Sequence, residues 1–365
     1  MKTIKNTQFK ELLLNDTPFI DVRSEVEFSK GSIPNSVNMP ILIDCEREKV
    51  GTCYRKEGQE KAIELGKELV SGDIKKERVH KWNTFLKENR NALIYCARGG
   101  LRSQMSQKWI FETNNEIPFI DGGFKSLRNF LITEFEKNCK IANFVVLSGT
   151  TGSGKTILLN EFKNIIDLEK RANHRGSSFG KHFTNQPAQI DFENIISLDL
   201  MRLCNYQDVN VLIEDESRLI GKIHVPDILT KIMYNSDIVV LETPMEQRVD
   251  IILKEYVEES LEEYLQINPN DYDSFFNLFL FNLKRISKKL GGLKHKEIQE
   301  DMTNAFDAHK DHGDVSKHKV WIEKLLTHYY DPMYNYSLEK RSEQIIFRGS
   351  HKGIKKWAQS SGFLI

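Results

Sequence analysis

Short apolar runs alternate with amphipathic stretches over the first third of the chain. Phe19-Ile20-Asp21-Val22, Ala92-Leu93-Ile94-Tyr95 and Pro118-Phe119-Ile120 are strand-length, and the last is closed by Gly122-Gly123. Ser103 to Thr113 and about Lys125 to Lys137 read as helices. Such alternation predicts a parallel sheet with helices on its faces. The pattern restarts at Phe144-Val145-Val146-Leu147, with Asn138–Ala142 as a helical joint, and continues in the strands Val209–Ile213 and Asp237–Leu241. From about Met245 onward Leu, Ile and Phe recur at spacings of three and four, a helical period. The pattern therefore predicts two α/β units in tandem, 1–137 and 138–365, the second with a helical C-terminal extension. No internal repeat or low-complexity tract interrupts it.

Composition narrows the class. The chain has 365 residues, room for two domains of about 150 residues each. Hydrophobic residues make up 39% and charged residues 28%, a globular balance rather than a disordered one. No apolar run approaches the roughly 20 residues that span a bilayer, and the N-terminus lacks a secretory stretch, so a cytoplasmic protein without membrane attachment is expected. Cys45, Cys53, Cys96, Cys139 and Cys204 are odd in number and contain no C-x-x-C pair. That disfavours a disulfide framework or structural zinc and leaves room for one working thiol. The 52 basic and 52 acidic side chains cancel, which still permits a local basic patch for nucleic acid.

Two constellations carry chemistry. Residues 149–156, Gly-Thr-Thr-Gly-Ser-Gly-Lys-Thr, satisfy G-x-x-x-x-G-K-[ST] between an apolar strand and a helical stretch. Gly149, Gly152 and Gly154 let backbone N–H groups turn toward phosphate oxygens, Lys155 adds charge, and Thr156 can reach a magnesium ion. The strand Val211–Ile213 ends in Glu214 and Asp215, placed as metal-orienting acids are; solvated acids at a strand end are the alternative. The second constellation is Tyr95-Cys96-Ala97-Arg98-Gly99-Gly100-Leu101-Arg102-Ser103. A cysteine between a buried strand and a helix sits in a ring of backbone N–H groups, and nearby arginines favour its thiolate. Cys96 is the expected nucleophile, with Arg98 and Arg102 as its cations.

Upstream, Asp21-Val22-Arg23 through Gly31-Ser32-Ile33-Pro34, with Asn38-Met39-Pro40 and Asp121-Gly122-Gly123-Phe124, resembles the rhodanese signature over roughly residues 10–136. The stretch from Cys96 to Arg102 is one residue longer than the common sulfurtransferase loop and has the length seen in related cysteine phosphatases, although Tyr95 stands where those often have His. The order of motifs as a whole resembles the bacterial tRNA 2-selenouridine synthases. Arg171-Ala172-Asn173-His174-Arg175-Gly176-Ser177-Ser178-Phe179-Gly180, Glu214–Arg218 with Ile220-Gly221, and Tyr329-Tyr330-Asp331-Pro332-Met333-Tyr334 extend that resemblance over nearly the whole chain.

The resemblance implies a rhodanese-like domain followed by a P-loop NTPase-like α/β domain. It implies exchange of sulfur for selenium in 2-thiouridine at the tRNA wobble position, with selenophosphate as donor and S-geranyl-2-thiouridine, made from geranyl diphosphate, as intermediate. Cys96 would carry selenium as a perselenide, and the P-loop would cradle a diphosphate. The motif does not separate geranyl diphosphate from ATP, and Mg2+ suits either. The enzyme that produces selenophosphate is a further expected partner.

His174, Arg175, Ser177 and Arg218 are candidates for diphosphate or the target base, against a plain surface loop. Lys284, Arg285, Lys288, Lys289, Lys294, His295 and Lys296 form a stretch without an acid, a candidate tRNA-backbone contact or a solvated face. Arg348, Lys352, Lys355, Lys356 and Trp357 form a second strip, better read as a docked C-terminal helix. Glu255 to Glu263 reads as a solvated acidic face. Phe275 to Phe281 reads as helical core, with a C10 isoprenoid pocket as the alternative. His309, His312 and His318 lack ligand spacing, and no metal site is expected there. Two other classes remain: a sulfurtransferase or cysteine phosphatase fused to a kinase-like domain, and a non-enzymatic nucleotide-switched binding module with Cys96 idle.

Overall fold

A computed structural model describes residues 2–205 and 209–363. The chain divides into two compact units, Met1–Lys140 with Ala188–Asn205, and Ile141–Pro187 with Tyr206–Ile365.

The first unit runs β1 (Thr3–Ile4), α1 (Phe9–Leu14), β2 (Phe19–Asp21), α2 (Glu25–Ser29), β3 (Ser36–Asn38), α3 (Asp44–Glu57), α4 (Gln59–Leu69), α5 (Gly72–Glu88), β4 (Leu93–Tyr95), α6 (Leu101–Phe111), β5 (Phe119–Ile120) and α7 (Gly123–Ile141). Its sheet has the order β1-β5-β4-β2-β3 and is parallel throughout among the described residues. Because side chains alternate across a strand, Ile20 and Ile94 face one side with Trp82, Trp109 and Ile110, while Phe19, Leu93 and Tyr95 face the other with Phe9, Leu127 and Leu131. Burial on both faces explains why β4 reads as an unbroken apolar run. It also puts Cys96 at the carboxyl end of a central strand, where open α/β sheets hold their ligands.

The second unit begins as α7 passes into β6 (Asn143–Gly149), then α8 (Lys155–Leu159), β7 (Ile165–Ile166) and α9 (Leu168–Ala172). The next helix, α10 (Gln189–Leu203), clusters with the first unit, where Leu198 and Met201 join the Phe9 and Tyr95 face. The second unit resumes with β8 (Asn210–Glu214), the ribbon β9 (Leu219–Ile220) and β10 (Ile223–His224), α11 (Asp227–Asn235), β11 (Asp237–Leu241), α12 (Met245–Ile252), α13 (Glu259–Ile267), α14 (Tyr272–Leu290), α15 (Gly292–His312), α16 (His318–Leu325), α17 (Asp331–Glu339), β12 (Ile345–Gly349) and α18 (His351–Ser360). Its sheet is also parallel among the described residues, in the order β12-β11-β6-β8-β7.

The region after Met245 is helical as its periodicity predicts, with one exception. The stretch Ile345–Gly349 forms the edge strand β12 on β11. Only alternate residues along it are exposed, and so short a half-buried run carries little strand signal. The helix α18 docks through Ile354 and Ala358, and Trp357 stacks on Phe347 at 5.9 Å. Phe275, Phe279, Phe306 and Trp321 pack in one apolar cluster, where the void near Phe279 and Trp321 is about 20 Å3, room for about one water. Phe275 and Phe279 are core, with a void beside them far too small for a C10 chain, whereas Leu278 and Phe281 of the same stretch are 41% and 62% exposed, so the expected core holds on one helix face only. Among the described residues no helix is long and apolar enough to cross a membrane.

Candidate active site

In the first unit, Cys96 leaves β4 buried at 3% exposure, its Sγ 3.3 Å from Ser103 Oγ and 3.9 Å from the Gly100 carbonyl. The segment Asp121-Gly122-Gly123-Phe124 holds the loop from behind: Phe124 N–H donates to Cys96 O at 2.8 Å and Lys125 N–H to Ala97 O at 3.1 Å. Gly123 has φ +57°, and a Cβ there would lie 2.1 Å from Cys96 O, so the approach demands glycine. Arg102 pairs with Glu27 at 2.5 and 3.0 Å, and Arg47 reaches the same carboxylate at 3.1 Å. Burial alone would raise Glu27, but the hydrogen bonds and charge of Arg102 outweigh it and hold the carboxyl down at about 2. Arg98 is exposed and has no ion pair among the described residues, so it is the free cation of the loop. Arg23, buried against Asp21 at 2.6 Å with its guanidinium 3.9 Å over Phe124, locks the signature segment to the same support.

In the second unit, Gly149 ends β6 in register with Leu241 of β11, and Leu147 is paired with Glu214 of β8. The phosphate loop and Glu214 thus share the carboxyl edge of the sheet. Gly152 and Gly154 have φ +75° and +82°, and a Cβ at Gly152 would meet Ile252 Cδ1 at 2.7 Å. Lys155 Nζ donates to Gly149 O at 2.8 Å. Thr156 Oγ1 lies 3.3 Å from Glu169 Oε2 and 3.2 Å from Glu214 Oε1, and Glu169 N–H donates to Glu214 at 3.1 Å. Burial, reinforced by the neighbouring acids, pushes Glu169 up to about 8, Glu216 up to about 7 and Glu214 well above the carboxylate range. Among the described residues no group of three or more His, Cys, Asp or Glu side chains is arranged to hold a metal by itself.

Glu214 and Asp215, adjacent in sequence, part company. Glu214 faces Thr156, whereas both oxygens of Asp215 accept from Arg341 at 2.7 Å and one accepts from Ser148 Oγ. The C-terminal motif returns to the loop too. Asp331 binds both terminal nitrogens of Arg248 at 3.0 and 2.6 Å, Arg248 Nε donates to Thr151 O at 3.0 Å, and Tyr334 Oη is 3.2 Å from Ser148 Oγ. A π-helical stretch, Leu326–Tyr330, immediately precedes Asp331. Such turns recur where helices serve functional sites.

The segment 174–180 lies over the acids. Gly176 has φ +63°, and a Cβ there would sit 2.4 Å from Glu169 and 2.8 Å from Glu216. Arg175 is 5.6 Å over Tyr256 and donates to Ser260 at 3.2 Å. His174 is buried with Nδ1 unpartnered among the described residues; burial and the charge of His182 lower its pKa to about 4, so it is neutral. Ser177 is a partner of the Tyr330 hydroxyl. Arg218 is exposed beside the ribbon. Lys288 and Lys289 are exposed on the last turn of α14, and Lys284, Arg285 and Lys288 have no ion pair among the described residues. The acidic segment is solvated only in part: Glu263 accepts from Phe183 N–H at 3.0 Å and faces His182 at 3.2 Å, holding the segment beyond 180.

Sequence reasoning passed over Glu169, Glu27 and Ser103. Glu27 had a local signal, the capping box of Ser24 with Glu27. Ser103 directly follows Arg102. Glu169 had none beyond an acid in the first turn of a short helix.

Comparison with known proteins covers both units. Residues 142–362 match the family described as tRNA 2-selenouridine synthase AAA domain, and residues 5–129 match the rhodanese-like domain. The tRNA 2-selenouridine synthase of Shewanella frigidimarina (strain NCIMB 400) is 43% identical over 358 residues, 98% of each chain. That of Sulfurovum sp. (strain NBC37-1) is 43% identical over 352 residues, 96% of this chain and 97% of its own. That of Marinobacter nauticus (strain ATCC 700491 / DSM 11845 / VT8) is 43% identical over 354 residues, 96% of each.

Proposed function

The chain belongs to the tRNA 2-selenouridine synthase family, and from that premise we propose that it replaces sulfur by selenium in wobble 2-thiouridine of tRNA. The observation that carries the reading is the pairing of two phosphate-shaped loops, each at the carboxyl edge of its own parallel sheet, one built around a buried cysteine. In this reading selenophosphate enters the Cys96 loop, with Arg98 and the loop amides on its oxyanion and Arg102 held in place by Glu27. Cys96 Sγ takes selenium as a perselenide: an S–Se bond forms and the P–Se bond breaks. Two electrons leave the sulfur–selenium pair, either on phosphorus or to a disulfide-class oxidant, and the oxidation state of the released phosphorus tells which.

The P-loop cradles the diphosphate of geranyl diphosphate on the amides of Gly149 to Thr156, with Lys155 swinging from Gly149 O onto it. The thiocarbonyl sulfur attacks the prenyl carbon and pyrophosphate departs. Alkylation turns a poor leaving group into a better one and makes C2 of the base electrophilic. A magnesium ion shared by the diphosphate and Thr156 would keep Glu214 and Glu169 ionised. The exposed cations of α14 would contact the tRNA backbone, which makes binding salt-dependent. The selenophosphate-producing enzyme is the partner this reading calls for, in a cytoplasmic setting.

The test is incubation of the full chain with 2-thiouridine tRNA, geranyl diphosphate and selenophosphate, with nucleosides identified by mass spectrometry. S-geranyl-2-thiouridine and 2-selenouridine are expected. Lys155→Ala should lose geranylation while Cys96 still loads selenium; unchanged geranylation would overturn the P-loop assignment. Cys96→Ser should geranylate and stop there.

A further inference from the structure

A cavity of about 730 Å3 opens in the first unit, walled by α3, α4, the start of α6 and the segment before α3. Ile41, Leu42, Ala62, Val70, Met105 and Trp109 supply apolar walls. Folded interiors leave few voids larger than a water, whereas this volume falls in the range of about 300–1,000 Å3 that takes small organic ligands. The exposed Arg47, Arg55 and Lys67, with Glu48, stand where it meets solvent.

Its position relative to the sulfur is specific. Leu101 and Arg102, which open α6 directly after the Cys96 loop, line the cavity. Ile41, Leu42, Val70 and Trp109 form one buried cluster with Cys96 itself. Two helical glycines keep the space open: a Cβ at Gly51 would meet nothing within 4 Å, and one at Gly66 only Val50, at 3.8 Å. A mid-helix glycine is less stable than alanine, and neither backbone has a positive φ that would require it.

We propose that this cavity binds the apolar chain of an S-alkylated base, a C10 isoprenoid on the reading above, and thereby presents C2 of the base to selenium on Cys96. The proposal rests on that reading for the identity of the chain. Selenium forms the C2–Se bond as the C2–S bond breaks; sulfur leaves with the electron pair as the prenyl thiolate and takes a proton from water. An external thiol then attacks the Cys96 sulfur of the S–Se bond, freeing selenium as the 2-selenouridine anion, and a second thiol resolves the mixed disulfide to release Cys96.

Two measurements on the full chain test this. In the first, tRNA already carrying S-geranyl-2-thiouridine is offered with selenophosphate to the native chain and to Ala62→Phe, which fills the cavity. Selenation should fall at least tenfold in the variant, with geranylation of 2-thiouridine tRNA retained. Equal selenation overturns the proposal, and so does loss of geranylation instead, since the cavity would then serve geranyl diphosphate. In the second, geranyl thiol is titrated against the native chain and Trp109 fluorescence is read, with Trp109→Phe identifying the signal. Saturable quenching in the native chain that is lost in Trp109→Phe supports the site even where Ala62→Phe folds poorly; absence of quenching in the native chain overturns it. If the thiol binds but the enzyme never geranylates tRNA, the hydrocarbon site stands and the reading of the reaction falls.

Discussion

The Cys96 loop and the phosphate loop have the same plan, a glycine-rich turn between a central parallel strand and a helix, yet they are supported in opposite ways. Backbone does most of the work at Cys96: N–H groups of Phe124 and Lys125 bind the carbonyls of Cys96 and Ala97, across a contact only glycine permits. At the P-loop the supports are charged side chains from far along the chain, Arg248 with Asp331 and Arg341 with Asp215. The electrostatics diverge as well. Glu27 is ionised and clamps a cation, whereas Glu169, Glu214 and Glu216 are buried together and resist ionisation. On the proposed function, a covalent carrier needs one fixed sulfur, and a loop that admits and releases a diphosphate can use acids that change charge when a cation arrives.

The sharpest way to break the comparison is to cut the side-chain support. Asp331→Asn leaves the Arg248 guanidinium, whose side chain is 6% exposed, without its carboxylate. Removing one partner of a buried pair costs about 3–5 kcal/mol. The thermal midpoint should fall and geranylation with it. Selenium loading of Cys96, followed on the surviving folded protein, should be unaffected. A midpoint equal to the native one would mean that Arg248 is held by Thr151 alone.

The matching cut on the other side is Gly123→Ala. The added Cβ cannot stay 2.1 Å from Cys96 O, so the loop must move, and a displacement on the order of 1 Å at a reacting atom costs about a hundredfold in rate. Selenation should drop by that order while geranylation persists. The mirror substitution, Gly152→Ala, crowds Ile252 and Arg248 O and should give the reverse pattern. Loss of both activities in either variant would show that the two loops do not act separately.

What the sequence made legible follows from this contrast. The strands β2, β4, β6 and β11 were readable because burial on both faces leaves an apolar run, and both loops were readable because glycines and a cysteine or lysine at fixed offsets are local patterns. The supports were not. Arg248 and Asp331 are 83 residues apart, Arg341 and Asp215 are 126 apart, and a pairing over such distances leaves no period or spacing to find. The motif Tyr329 to Tyr334 could be noticed, but its work as a brace emerged only in three dimensions. Asp215 looked like the twin of Glu214, and the alternation of side chains past the strand end sent it to Arg341 instead. The return of α10 to the first unit and the edge strand β12 are likewise decided by distant partners.

The smallest expected effect is also the one that tests the electrostatic half of the comparison. Glu216 is held up at about 7 by burial and by Glu214, against an ordinary value of 4.5. The folded chain therefore keeps a proton that the unfolded chain releases, and this contribution to stability declines as pH rises from about 4.5 through 7. Glu27 runs the other way: with its carboxyl at about 2 in the fold, its contribution is present above 4.5 and is lost as pH falls toward 2. Glu216→Gln should lessen the decline between pH 5 and 8, with Glu169 and Glu214 still contributing to it, and raise the midpoint at pH 8 by about 2–4 °C, the equivalent of about 1 kcal/mol for a domain of this size. Glu27→Gln should leave that interval untouched and remove the acid-side slope. Adding Mg2+ with pyrophosphate to the native chain at pH 8 should have the same sign as Glu216→Gln, because a bound cation relieves the same buried charge. A native midpoint that does not decline between pH 5 and 8 would mean that the three P-loop acids are ionised and paired without any ligand, and the contrast with Glu27 would fall.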